Sequence, residues 1–344
     1  MKALTIILIS LLATLSAMAA PEAPDSALRA SLRKLECRAD SGNPKAIFDL
    51  SNVYEQGYGP VAADSARSVE LLRKAAGLGY APAQNYLGYK LFNGYGMERD
   101  RKRGLDLIEE AAMKGDPKAE ANLGWLLVSG EEVEPDPEKA VYWLGKAAGA
   151  GLPMAMLQLG AVYAEGLPPV APDTLKAVAL YLDASRAGVP EGDIRLEKLM
   201  APAWAQLPAD SALSLGLTYY LDDNAPVSAA ALFSVAAAKS DARACALLGE
   251  CYALGRGKPY DYSLAIQSFY RAADMGYAPA QYILAELLDI FPDALTDIID
   301  SGVNRNQEAN VNAVYWYEQA AEAGISNSEE ALSRLWQAPP SAPE

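Results

Sequence analysis

The side chains able to do chemistry in this chain are carboxylates and thiols. Its 344 residues include 44 Asp and Glu and 3 Cys but no histidine. Without imidazole there is no histidine-based triad, no histidine metal ligand and no general base of the commonest kind. Paired acids remain, at Glu109-Glu110, Glu131-Glu132 and Glu329-Glu330. All three fall on expected solvent faces or turns, where a hydrated charge is the ordinary state of Glu and a catalytic pair the rare one. Asp222-Asp223-Asn224 and the acids at Asp297 and Asp300 offer oxygens for calcium but lack the spacing of a calcium-binding loop. Cys245 and Cys251 share one expected helix. Their separation along its axis, about 9 Å, forbids a bridge between them. Cys37 lies several repeats away, so no structural disulfide is expected. These residues point to no catalytic centre, no metal and no cofactor.

The elements that carry them repeat. A glycine preceded by Leu recurs at Gly88, Gly124, Gly160, Gly216 and Gly249, with Ser51 and Ala285 in the same slot at the two ends. The period is about 36 residues, the length of a helix–turn–helix solenoid unit whose usual task is to hold other molecules. Within each unit, an Ala five before the glycine, the Leu before it and the residue three after it fall on one stripe of a helix. A glycine inside a helix costs about 1 kcal/mol relative to alanine. Five at one register are expected only where a neighbouring helix must approach closely.

Five of the first helices end at a glycine turn such as Gly94-Tyr95-Gly96 or Gly255-Arg256-Gly257. An Asp then stands ready to cap the next helix: Asp64, Asp100, Asp136, Asp173 and Asp261. Small residues follow four positions later (Ser68, Gly104, Ala140, Ala177 and Ala265), facing the partner helix. The second helix closes on an Ala-Ala pair and, in most units, a C-terminal glycine such as Gly79, Gly115 or Gly151. The Gly-x-Gly turns follow helices rather than strands, so they are not phosphate loops.

The unit Ala83…Leu87-Gly88…Gly94-Tyr95-Gly96…Asp100…Ala111-Ala112-Met113-Lys114-Gly115 resembles the Sel-1-like repeat (SLR) family of the tetratricopeptide-like superfamily. So do residues 119–151 and 244–276. The resemblance implies an all-α fold: a right-handed α-solenoid, or superhelix, of about seven antiparallel helix-pair repeats. It also implies an adaptor in protein complexes, and exported bacterial members of the family serve cell-envelope signalling or assembly. Cysteine-rich relatives staple each repeat with a disulfide and are associated with penicillin binding or hydrolysis. The stapling cysteines are absent here. A cell-wall-associated or β-lactam-acting enzyme is therefore the alternative to a non-catalytic interaction scaffold, and no residue set transfers that activity.

The expected organisation is a signal peptide at 1–19, a capping helix at 20–41 and a repeat array at 42–191. A degenerate repeat or bend interrupted by Pro202 and Pro208 follows at 192–207. A second array at 208–326 holds an insertion near 289–312, and a capping helix and tail occupy 327–344. The leader is read from Lys2, an uncharged run to Met18 and the small-x-small site Ala17-Met18-Ala19. It predicts export to the periplasm or the medium, with no integral membrane segment once it is removed. A net charge of −15 argues against nucleic acid as a partner. The expected ligand is a protein or peptide.

In tetratricopeptide relatives the first-helix positions three before the glycine slot and one, four and five after it line a concave groove. The partner-binding candidates on or near those positions are Asn52, Asn85, Tyr89, Phe92, Asn93, Trp125, Tyr220, Glu250, Tyr282 and Glu286. Tyr89, Phe92 and Trp125, large rings flanked by Asn, have the profile of a peptide-binding patch.

Overall fold

The computed structural model describes residues 25–59, 61–130, 133–221, 225–290 and 313–337. The expected leader, Glu131-Glu132, Asp222-Asp223-Asn224, Asp297, Asp300 and nearly all of the expected insertion lie outside them. Every regular element among the described residues is a helix. The chain forms two compact units that divide between Ala150 and Gly151.

The first unit begins with α1 (Asp25–Asp40), packed on α2 (Pro44–Gln56). Helix α2 pairs with α3 (Ser65–Gly77), α4 (Ala81–Asn93) with α5 (Arg101–Met113), and α6 (Pro117–Ser129) with α7 (Pro137–Gly149). The second unit pairs α8 (Pro153–Glu165) with α9 (Thr174–Arg186) and then places a single helix, α10 (Pro190–Trp204). Three pairs follow: α11 (Ala209–Leu221) with α12 (Pro226–Ala238), α13 (Ala242–Leu254) with α14 (Tyr262–Asp274), and α15 (Ala278–Ile290) with α16 (Ala313–Glu322). Helix α17 (Ser326–Gln337) packs on α16. The described chain thus holds seven helix pairs.

The five expected Asp caps all close second helices. Asp64, Asp100, Asp136, Asp173 and Asp261 accept from the backbone N–H three residues on, at 2.9 to 3.1 Å. Three first helices are capped in the same way, by Asn43, Asp116 and Asp241. Each cap satisfies an N–H that has no partner inside its helix, which fixes where the short helices begin.

The glycines sit where helices cross. A Cβ on Gly88 would lie 2.7 Å from the Gly104 carbonyl oxygen, and one on Gly104 would lie 2.6 Å from the Phe92 nitrogen. Helices α4 and α5 therefore meet backbone to backbone. Elsewhere a bulky side chain fills the gap over the glycine: Leu144 over Gly124, Tyr181 over Gly160, Phe233 over Gly216 and Phe269 over Gly249. The register read from sequence is a row of close contacts, and the small residues Ser68, Ala140, Ala177 and Ala265 opposite it are buried. Pair by pair this builds apolar clusters, two in the first unit around Ile47 and Leu72 and around Ile108 and Leu123, and in the second unit one that includes Leu232, Phe233, Leu284 and Tyr317.

The period breaks at α10. This helix runs through Pro202, which lies in its last turn, so the proline does not interrupt it as the sequence suggested. It packs on α9 and on α12. Gly192 makes the first of these approaches, with the Tyr181 carbonyl oxygen only 2.4 Å from where its Cβ would be. At the second, the N-cap of α12 is Ala225, which has no side chain able to cap. Asp193 of α10 does that work instead. Its fully buried carboxylate accepts from the Val227 N–H at 2.6 Å and the Ser228 N–H at 2.9 Å. Burial raises this carboxyl above the ordinary Asp range, against the pull of the hydrogen bonds it accepts from Ser228 and Val227.

Two expectations follow for stability. Gly88→Ala should lose about 1–3 kcal/mol despite the better helix propensity of alanine, because backbone cannot yield to the new methyl. Gly145→Ala, at a helical glycine with open space around it, should instead gain up to about 1 kcal/mol. Urea denaturation of the two variants decides, and equal effects would refute the close-packing account. Asp193→Ala should cost about 3 kcal/mol by leaving two buried N–H groups at the start of α12 unpaired.

Candidate functional site

The first helices of the first unit, α2, α4 and α6, present successive residues at one register, immediately after the glycine slot: Asn52, Tyr89 and Trp125. Helices α4 and α6 are tied across this face by a hydrogen bond from Asn122 Nδ2 to Asn85 Oδ1 of 2.8 Å. Tyr89 is 43% exposed and Trp125 48% exposed, values far above those of core rings. Tyr89 packs on the exposed Tyr95 of the following turn, ring centroids 5.8 Å apart. Asn93 donates to the Tyr89 carbonyl at 2.9 Å, finishing the last turn of α4. Asn52 is half-buried on α2.

The structure places two candidates elsewhere. Phe92 is 6% exposed and belongs to the core with Ile108, Leu123 and Leu127. Asn85 is equally buried, its amide oxygen taken by Asn122. Neither is available to a ligand, because the close α4–α5 crossing and the neighbouring first helix cover them. Counting residues at a fixed angle per step does not reveal how far a neighbouring helix wraps around a face.

A polar cluster on the same helices was not among the sequence candidates. Glu55 of α2 forms an ion pair with Lys90 of α4 at 2.6 Å and accepts from the Tyr86 hydroxyl at 2.6 Å. The Lys90 ammonium also lies 5.3 Å from the centre of the Tyr86 ring. Burial pushes the Glu55 carboxyl up, but the hydrogen bonds from Lys90 and Tyr86 and the charge of Lys90 outweigh it and hold the group below its ordinary value. Burial, together with the hydrogen bond to Glu55 and its charge, pushes the Tyr86 hydroxyl up to about 12. Glu55 stands at a groove register, four after the Ser51 slot, but Tyr86 and Lys90, two before and two after Gly88, are positions counted as neither stripe nor groove.

In the second unit the candidates are engaged within the chain. Tyr220 is buried, with its ring against Phe233 at 5.8 Å and the Arg256 guanidinium 4.0 Å above it. Arg256 also donates to the Tyr220 carbonyl at 3.0 Å. Glu250 is half-buried, and burial raises its carboxyl despite the charge of Arg256. Tyr282 donates to Glu286 at 2.6 Å and stacks edge-on to Tyr317. This face offers ordered polar groups, not open rings.

The thiols are unbridged. Burial raises Cys245 and takes Cys251 up to about 12, far from a thiolate at neutral pH. Among the described residues no group of three or more Cys, Asp or Glu is arranged to hold a metal ion, and no helix is long and apolar enough to cross a membrane. Buried Glu120 is paired with Lys146 at 2.6 Å.

Comparison with known proteins agrees with this architecture. The Sel1 repeat model matches residues 44–80, 81–116, 117–152, 153–189, 242–277 and 300–325, more than half of the chain. The protein belongs to the Sel1 repeat family, an all-α solenoid of helix pairs. Proteins built from such repeats are generally interaction scaffolds rather than enzymes. The pair α11–α12, whose cap comes from Asp193, lies outside the matched segments. An uncharacterised protein of Neisseria meningitidis serogroup B is 29% identical over 188 residues, covering 51% of this chain and 36% of the relative. The chain thus spans little more than a third of that relative's length. A protective antigen of uropathogenic Escherichia coli, described as displaying an SLR fold, is 25% identical with a TM-score of 0.45, covering 89% of this chain and 67% of that one. A Sel1 repeat protein from Oxalobacter formigenes is also 25% identical, with a TM-score of 0.41, covering 82% of this chain and 89% of that one.

The Glu55 cluster predicts a pH effect. Its folded-state pKa is depressed, so its contribution is present above about pH 4.5 and is lost as pH falls through the folded value. Glu55→Gln should cost about 1–2 kcal/mol near neutrality and flatten the acid limb of a thermal-midpoint profile. An acid limb as steep as that of the unaltered protein would exclude Glu55 as its source.

Proposed function

We propose that the protein is a non-catalytic adaptor that binds an extended peptide segment of a partner protein along α2, α4 and α6. Tyr89 and Trp125 are the anchors, and Asn52 and Asn93 are the polar flank. The observation that carries this reading is the exposure of two large rings at one register on adjacent helices. Every other part of the repeat at that level is spent on packing. Large exposed rings cost solubility, and rings are the side chains that most often dominate binding energy at protein interfaces. The same register in the second unit reads Ala161, Leu217, Glu250 and Glu286, without a ring. The leader at 1–19 supports a site of action outside the cytoplasm, in the periplasm or the medium.

A peptide selected from a displayed random library against the purified protein tests the face. Tyr89→Ala with Trp125→Ala should weaken its binding by at least about tenfold, the loss of one hot-spot contact or more. Both side chains are half in solvent, so the thermal midpoint should move little. Selected peptides that bind the double variant unchanged would place the interaction surface elsewhere.

A further inference from the structure

The first unit carries a second feature, independent of the aromatic face. A recess of about 580 Å3 lies beside the turn from α4 to α5 and is lined by four arginines, Arg73 from α3 and Arg99, Arg101 and Arg103 from the turn and the start of α5. In a chain of net charge −15, this concentration of one sign needs a reason. We infer that the recess binds an organic oxyanion bearing two or more phosphate or carboxylate groups.

The sequence of α5 is the first argument. After its cap, Asp100, the first turn reads Arg101-Lys102-Arg103. Cations at a helix N-terminus oppose the helix dipole and so disfavour the helix. The equivalent turns read Ser65-Ala66-Arg67, Pro137-Glu138-Lys139, Thr174-Leu175-Lys176 and Tyr262-Ser263-Leu264, with at most one cation. Helix stability therefore does not explain the three cations of α5. An anion held there would reverse the penalty, because it would meet both the dipole and the guanidinium groups.

The pairing of these cations is the second. At the register of Arg103, Lys139 and Lys176 fold back on their own cap acids at 2.7 and 3.2 Å. The Asp100 carboxylate accepts from the Arg103 backbone N–H as the other caps do, but the Arg103 side chain forms no ion pair with it. The side chains of Arg103 and Arg73 have no ion-pair partner among the described residues. Arg99 is held in place by one of its donors, Nε to the Phe92 carbonyl at 3.0 Å, so its guanidinium fork is fixed in direction. Arg101 is driven below its ordinary pKa by burial and by the neighbouring charge of Arg99.

Size and balance narrow the ligand class. Arg73 and Arg103, lining arginines without an ion-pair partner among the described residues, match a ligand with at least two negative charges. The volume falls within the range of small-molecule sites, about 300–1,000 Å3, and exceeds what one phosphate would fill. The acidity of the chain as a whole disfavours a polyanionic polymer.

Isothermal titration of the purified protein with pyrophosphate and, separately, citrate tests this at an ionic strength of about 0.15 M. One saturable site for either probe is expected, and the better probe tells whether phosphate or carboxylate groups are preferred. Arg73→Gln with Arg103→Gln should weaken that site by at least about tenfold. Arg73→Lys with Arg103→Lys, which keeps charge but not the planar fork, should also weaken it. Circular dichroism melts of both variants verify the fold. Heats no larger than those of sodium chloride at matched ionic strength, or titrations unchanged in the folded glutamine variant, would overturn the assignment.

Discussion

The structure depends on how closely two short helices can approach. A 13-residue helix such as α4 or α5 is marginal alone in water, so each unit is held by contact and not by propensity. Where Gly88 faces Gly104 the two backbones touch, and where Gly124, Gly160, Gly216 or Gly249 faces a larger residue the ring or branched chain fills the same gap. The crossing is fixed either way. Once it is fixed, the Ala-rich inner positions of the second helix must be small, the caps must fall at a set distance, and the first helix is left with one narrow face that packing does not consume.

That face is where the two units differ. In the first it carries Tyr89 and Trp125 in the open, beside the Glu55–Tyr86–Lys90 cluster that ties α2 to α4. In the second, Arg256 covers Tyr220, and Tyr282 turns to Glu286. The cluster and the rings divide the labour in the first unit. The first sets the spacing of neighbouring helices, and the second is free to meet a partner.

The repeat was legible because its causes are local. An Asp cap, a crossing glycine and an Ala-Ala ending each act within one helix or one turn, so Asp64 through Asp261 and Gly88 through Gly249 could be read by counting. What could not be counted was contact between units of the pattern. Phe92 and Asn85 sit at groove registers yet are buried, because the reach of α5 and α6 around α4 is a property of three helices together. Lys90 and Tyr86 fell between the stripe and the groove, and their role depends on Glu55 of the preceding unit. The cap of α12 was hidden for the same reason: the residue that supplies it, Asp193, stands 34 positions before the Val227 N–H that it accepts from. Pro202 misled in the other direction, since α10 runs on through it to Trp204.

The Asp193 cap also bears on how such a chain can change length over evolutionary time. Where a helix pair touches only its immediate neighbours, a whole repeat can be copied or deleted at a turn and the seams on both sides still fit. Helices α10 to α12 do not obey that rule. Losing α10 would strip α12 of the group that starts it, and copying α12 alone would produce a helix with no cap. The cap therefore requires that the stretch from Pro190 to Ala238 be copied or lost as one block, three helices long, where an ordinary repeat is two.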